Sequence, residues 1–193
     1  MLRFQIPSRL SQLVLTILLA SFTCSAVAVA QEEPMFAPTE EHELLKDDVG
    51  TWDADMKVWP MPGSEPLTSK CTETNELLPG GMWAISRFEG NVGGMPFTGC
   101  GTFGYDPTEK KYVGTWVDSM TPYLTTMKGD YEPETKTITL IAEGRDPMTG
   151  QVQKSKHIGR RIDDNTRMFE IYMPGENGED WKMLEISYKR RAE

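Results

Sequence analysis

The stretch Trp52-Asp53-Ala54-Asp55-Met56-Lys57-Val58 sets a period for the rest of the chain. Apolar side chains at 52, 54, 56 and 58 alternate with charged ones at 53, 55 and 57, which suits a pleated strand with one face in a core and the other in water. A helix would scatter both sets around its circumference. One wet face and one dry face is the habit of antiparallel sheets, so the stretch predicts an antiparallel strand.

Working outward, the period changes on one side only. Upstream, Thr39 can cap a short helix whose first turn carries Glu40 and Glu41, where the helix dipole favours acids. Leu44, Leu45 and Val49 give that helix an apolar side, and Gly50 ends it. Downstream, period-two runs recur between turn signals near 67 to 78, 82 to 90, 96 to 105, 111 to 119, 123 to 131, 136 to 143, 151 to 161, 166 to 173 and 181 to 189. The connections are short and hold no crossover helix. The expectation is therefore an all-β fold, an antiparallel up-and-down barrel of about ten strands with a short N-terminal helix plugging one end, spanning residues 39–193. Closure follows because a meander this long would otherwise expose its edges.

The turns fall into two sets. Those on the helix side (Leu78 to Gly81, Asp106 to Lys110, Glu132 to Thr135, Asp163 to Asn165) are tight, and three connections repeat an acid followed by proline: Asp106-Pro107, Glu132-Pro133 and Asp146-Pro147. Those on the far side (Pro60 to Pro66, Gly90 to Pro96, Ser119 to Pro122, Gly144 to Gly150, Pro174 to Asp180) are longer. Binding loops on rigid scaffolds have that character. Met61, Met95, Met120, Met148 and Met173 lie in or beside them, placing adaptable apolar surface around an open mouth.

The N-terminus reads as a segment to be removed. Arg3 and Arg9 precede an apolar run from Leu13 to Phe22, and Ala28-Val29-Ala30 offers a peptidase site. The expectation is a secretory signal peptide over 1–30, a flexible lead over 31–38, and a periplasmic or secreted product with no membrane span after processing. The formal net charge is −9, which repels nucleic acid and anionic lipid. Cys71 and Cys100 are expected on strands separated by a third, beyond disulfide reach, as free and mostly buried thiols.

Catalytic signatures are missing. No G-x-S-x-G, H-E-x-x-H or C-x-x-C occurs, and His42 and His157 are too few for a multi-histidine metal site. Gly99-Cys100-Gly101-Thr102-Phe103-Gly104 fits G-x-G-x-x-G but sits inside a strand, where a dinucleotide motif cannot work. No cofactor or metal is expected, and His157 is expected to face solvent from its strand.

Gly50-Thr51-Trp52 resembles the Gly-x-Trp signature of lipocalins and fatty-acid-binding proteins. The resemblance implies a calycin-type barrel in which this tryptophan closes the floor and Lys189, Arg190 or Arg191 lays a cation over the indole. Longer strings resemble the family of unknown function fifteen-seventy-nine: Gly104-Tyr105-Asp106-Pro107, Tyr112-Val113-Gly114-Thr115-Trp116-Val117-Asp118-Ser119-Met120 and Asp146-Pro147-Met148-Thr149-Gly150. That likeness spans about residues 42 to 190 and implies kinship and fold, with no catalytic residue.

The leading function is binding of a small apolar or amphipathic molecule at the open end. Strand position nominates Trp83, Arg87, Trp116, Asp118, Met127 and Tyr172 as lining residues, with Arg87 and Asp118 as polar anchors or a structural ion pair. The alternative is a non-enzymatic envelope module docking a partner through its methionine-rich rim. An enzyme using Asp118 or Glu170 as acid or base is the third class.

Overall fold

The structure is a computed structural model that describes residues 36–175 and 178–192. The expected signal peptide over 1–30 lies outside those residues. A 3-10 turn at Glu40–His42 and helix α1 at Glu43–Asp47 precede ten strands: β1 Gly50–Val58, β2 Leu67–Leu77, β3 Trp83–Val92, β4 Met95–Asp106, β5 Lys111–Asp118, β6 Thr125–Glu132, β7 Thr137–Arg145, β8 Val152–Asp163, β9 Thr166–Met173 and β10 Trp181–Arg190. Each strand pairs with the next, and β10 returns antiparallel to β1, closing the barrel. Closure satisfies the backbone groups that two free edges would expose.

The inner face follows the parity of the first strand. Trp52, Ala54 and Met56 are buried, with Cys71 from β2, Phe88 from β3, and Ile186 and Tyr188 from β10 in the same apolar cluster. Val58, Val92, Phe97, Trp116, Phe169 and Leu184 pack against it. One register shift in β10, between Lys182 and Leu184, keeps Leu184 and Ile186 inside although Lys182 lies outside.

Packing is tightest at the floor. Trp52 is 2% exposed and its indole nitrogen donates to the Asp48 carbonyl at 2.9 Å. The Arg190 guanidinium lies 4.1 Å from the ring centre, so of the three basic residues offered by the sequence, parity selects the middle one. Arg190 also donates to the carbonyls of Asp47, Val49 and Asp164, tying the helix end to the last strand. A second cation comes from β9: Arg167 lies 4.5 Å from the Trp52 ring and 4.2 Å from the Tyr188 ring.

Arg167 is itself paired, with Glu73 at 2.7 Å and Asp48 at 3.2 Å. Asn75 donates to Glu73 at 2.9 Å and to the Asp48 carbonyl at 3.1 Å. Burial by itself would push the Glu73 carboxyl up. The Arg167 charge, with hydrogen bonds from Tyr188, Arg167 and Asn75, outweighs it and holds the group below the usual carboxylate value. Leu45 and His42 drop from the helical segment into the plug, and the Tyr112 hydroxyl donates to the Glu41 carbonyl at 3.0 Å. Gly50 sits at the junction with φ +119, and a Cβ there would press on the Arg190 guanidinium.

Both cysteines among the described residues, Cys71 and Cys100, are free, but they face opposite sides of the wall. Cys71 is buried inside, whereas Cys100, opposite Arg87, is exposed on the outer surface. The expectation of two mostly buried thiols is corrected for Cys100, because its neighbours Gly99 and Gly101 take the inward positions that Trp116 overlies.

Two outcomes are expected. Arg167→Met leaves Glu73 buried without its partner and should cost about 3–5 kcal/mol in urea unfolding, with part recovered when Glu73→Gln is added. In protein lacking residues 1–30, thiol titration should find one reactive group in the folded state and two after unfolding without reductant, and none after unfolding would contradict the geometry.

Candidate functional site

Of the six nominated lining residues, three face the interior. Trp116, Asp118 and Met127 stand on the inner faces of β5 and β6, and the register brings them together: Met127 pairs with Gly114, two residues before Trp116. The Trp116 ring lies over Gly99 and Gly101 of β4, where even a Cβ would collide with it. Asp118 accepts from the Trp116 indole at 3.2 Å and from the backbone of Met120 and Thr121 at 2.9 and 3.0 Å. That carboxylate fixes the indole and the rim loop at once.

Trp83, Arg87 and Tyr172 stand on the outer face and do not line the interior. Trp83 covers Gly104 from outside, and its neighbour Ala84 is the buried residue. Arg87 pairs with Glu76 at 3.2 Å on the outer surface, remote from any pairing with Asp118. Tyr172 lies between Lys156 and Lys182 on the adjacent strands, 5.4 and 5.8 Å from their ammonium groups. Each reading was off by one position, which in a strand reverses the face.

The inner wall continues past Met127 in a line that the sequence reading did not follow. Met127 pairs with Ala142, and Ala142 with Ser155. Two residues further along β8, His157 is 7% exposed, opposite Leu140 and Ile171 and edge-on to Phe169. The expectation that His157 faces solvent is corrected. The signal was present in Lys154-Ser155-Lys156-His157: alternate lysines must face water, which sends Ser155 and His157 inward.

The Ser155 hydroxyl lies 2.9 Å from His157 Nε2, while Nδ1 is buried with no hydrogen-bond partner among the described residues. Burial lowers the imidazole from 6.5 to about 4, so the ring is uncharged at neutral pH. A serine beside a histidine has the spacing of a nucleophile and its base. Here no carboxylate orients the ring, and a base titrating near 4 removes a hydroxyl proton poorly at pH 7. The arrangement is suited to offering hydrogen bonds inside an apolar wall. Among the described residues no group of His, Cys, Asp and Glu could hold a metal ion.

Burial also differs along the axis. Trp52, Tyr188 and Leu45 at the floor are enclosed, whereas Phe97, Trp116, Met127, Ile171 and Leu184 nearer the mouth are only half-buried. At the rim Met61, Met95, Met120 and Met148 are 65%, 56%, 40% and 90% exposed. Met173 is half-buried instead.

The buried histidine has a measurable consequence. In the folded protein His157 stays uncharged down to about pH 4, but the unfolded chain takes up a proton near 6.5. The unfolded state binds more protons in that window, so stability falls as the pH drops through it, by about 3 kcal/mol in full. Urea unfolding of wild type and His157→Gln should diverge by that amount between pH 7 and 4, the wild type showing the steeper loss.

Solved structures of similar fold include that of Rv2717c from M. tuberculosis, with TM-score 0.61, 14% identity, and coverage of 80% of this chain and 99% of that one. The S-type phycobiliprotein lyase CPES from Guillardia theta matches with TM-score 0.53, 10% identity, and coverage of 80% and 94%. At these identities the likeness shows the barrel alone. No curated protein sequence matches the chain. The model of a family described as Protein of unknown function (DUF1579) matches residues 37–190, nearly the whole barrel with its helix, and the chain belongs to that family.

Proposed function

We propose that this chain is an exported binding protein that holds a small apolar or amphipathic molecule in the mouth half of its barrel. The observation that carries the reading is the change of burial along the axis. Trp52, Leu45 and Tyr188 are enclosed at the floor, whereas Phe97, Trp116, Met127, Ile171 and Leu184 on the mouth half are half-buried beside the buried Met56 and Ala142. Ten strands also enclose a wider interior than eight, the number at which side chains can already fill a barrel or admit one small ligand. A mostly apolar wall with few polar groups is the common composition of such sites. Export rests on the leader, Arg3 and Arg9 before Leu13 to Phe22 and Ala28-Val29-Ala30.

The exposed methionines favour a second reading, in which the rim docks a partner protein of the envelope. The two separate on a variant carrying Met61→Gln, Met95→Gln and Met148→Gln. Nile red, an uncharged dye that brightens in apolar surroundings, should bind the wild type and this variant alike if the interior is the site. It should be lost from the variant if only the rim is apolar enough to hold it. Trp116→Phe should reduce energy transfer from protein to bound dye, since that indole lies on the wall the dye would touch. Dye that fails to bind the wild type would end the binding reading. Intact mass of the protein recovered after expression in bacteria should place the new N-terminus at Gln31, and an uncleaved chain would end the export reading.

A further inference from the structure

We propose that Ser155 and His157 seat the polar head of the bound molecule, and that the head they select is an uncharged hydroxyl, as in a long-chain alcohol. The inference rests on the binding reading above and names the class of ligand that site takes.

Three observations converge. His157 is 7% exposed, and its Nδ1 has no hydrogen-bond partner among the described residues. A buried polar atom without a partner is costly and rare in native proteins, so a group that supplies the missing bond is favoured there. Secondly, the Ser155 hydroxyl lies 2.9 Å from the other ring nitrogen and is itself only half-buried, so it keeps accessible surface beside the enclosed histidine. Thirdly, the wall beside the pair is apolar: Ala142 and Met127 lie in register with Ser155 on the next two strands, toward Trp116. An alkyl chain that takes the place of the side chains now covering Ala142, which is 1% exposed, puts its head at the pair.

The charge state of the surroundings selects among heads. The cations nearest along the inner faces of β8 and β9 are Arg161 and Arg167, and both are engaged at the floor, with Asp47 and Asp164 and with Glu73 and Asp48. On β7 no inward residue ionises. Asp118, the inward carboxylate at the mouth, is taken up by Trp116, Met120 and Thr121. A carboxylate head at Ser155 would meet no free cation, an ammonium head no free carboxylate, and each would keep the full cost of leaving water. In the tautomer that this assignment requires, Nε2–H donates to Ser155 and Nδ1 is a bare acceptor, to which a hydroxyl can donate and an ether cannot.

Displacement of Nile red from the purified protein at pH 7 tests this with three probes: 1-decanol, its methyl ether and decanoate. Decanol should displace at about tenfold lower concentration than the ether, which keeps the chain and the oxygen but cannot donate. Decanoate should be weaker than decanol by at least as much. An apolar interior disfavours decanoate without help, so the deciding comparison is decanol against its ether in the variants. His157→Phe should bring those two within about twofold of each other, and Ser155→Ala should do the same while removing only a hydroxyl from the wall. If His157→Phe does not fold, as its thermal melt would show, Ser155→Ala carries the comparison. Equal displacement by decanol and ether in the wild type, a preference untouched by Ser155→Ala, or decanoate matching decanol would overturn the assignment while leaving the binding reading intact. Failure of both dye and decanol to bind would overturn the two together.

Discussion

The indole of Trp52 is where the chain closes on itself. It belongs to the first strand, it pairs across the seam with Arg190 of the last, and two guanidinium groups lie against it, from Arg190 and from Arg167. Cations over an aromatic face are held by the ring quadrupole, more strongly where water is excluded. Because Arg190 also binds three carbonyls around the helix end and the floor turns, one side chain joins the seam, the plug and the tryptophan. Arg167 adds a paired charge that Glu73, Asn75 and Asp48 accommodate. Among the described residues, three of the four buried polar side chains, His42, Glu73 and Asn75, lie at the floor.

The opposite end is built with fewer constraints. From β4 to β8 the inner wall is lined in part by small residues, Gly99, Gly101, Gly114, Ala142 and Ser155, and larger neighbours lean into the room they leave, Trp116 over Gly99 and Gly101, Met127 against Gly114. Asp118 pins the indole and the rim loop together. The buried apolar cluster is centred on β1, β2, β3 and β10, while β5, β7 and β8 contribute the buried Tyr112, Leu140 and Ala142 and one uncharged histidine. The imidazole stays uncharged there, since burial disfavours its protonated form.

Much of this architecture was legible in the chain. The ten runs of period two lie within a few residues of the ten strands, and Gly50-Thr51-Trp52 with a basic C-terminal strand pointed to the cation over the indole. Within the candidate site the legible part was Trp116, Asp118 and Met127. Trp83, Arg87 and Tyr172 were nominated on strand position and fall on the outward parity, the inward one on β3 belonging to Ala84, Ser86, Phe88, Gly90 and Val92. Ser155 was overlooked and His157 was expected to face solvent, although the flanking lysines marked their face.

Local chemistry in the sequence determined the strand period, the turns, the helix cap and the family, because each depends on residues within a few positions of one another. Tertiary structure alone decided the inward parity of β3 and β9, which of three basic residues covers Trp52, and that His157 Nδ1 is left without a partner among the described residues. Those outcomes depend on the register of strands far apart in the chain, and a shift of one residue exchanges the inside of a barrel wall for its outside.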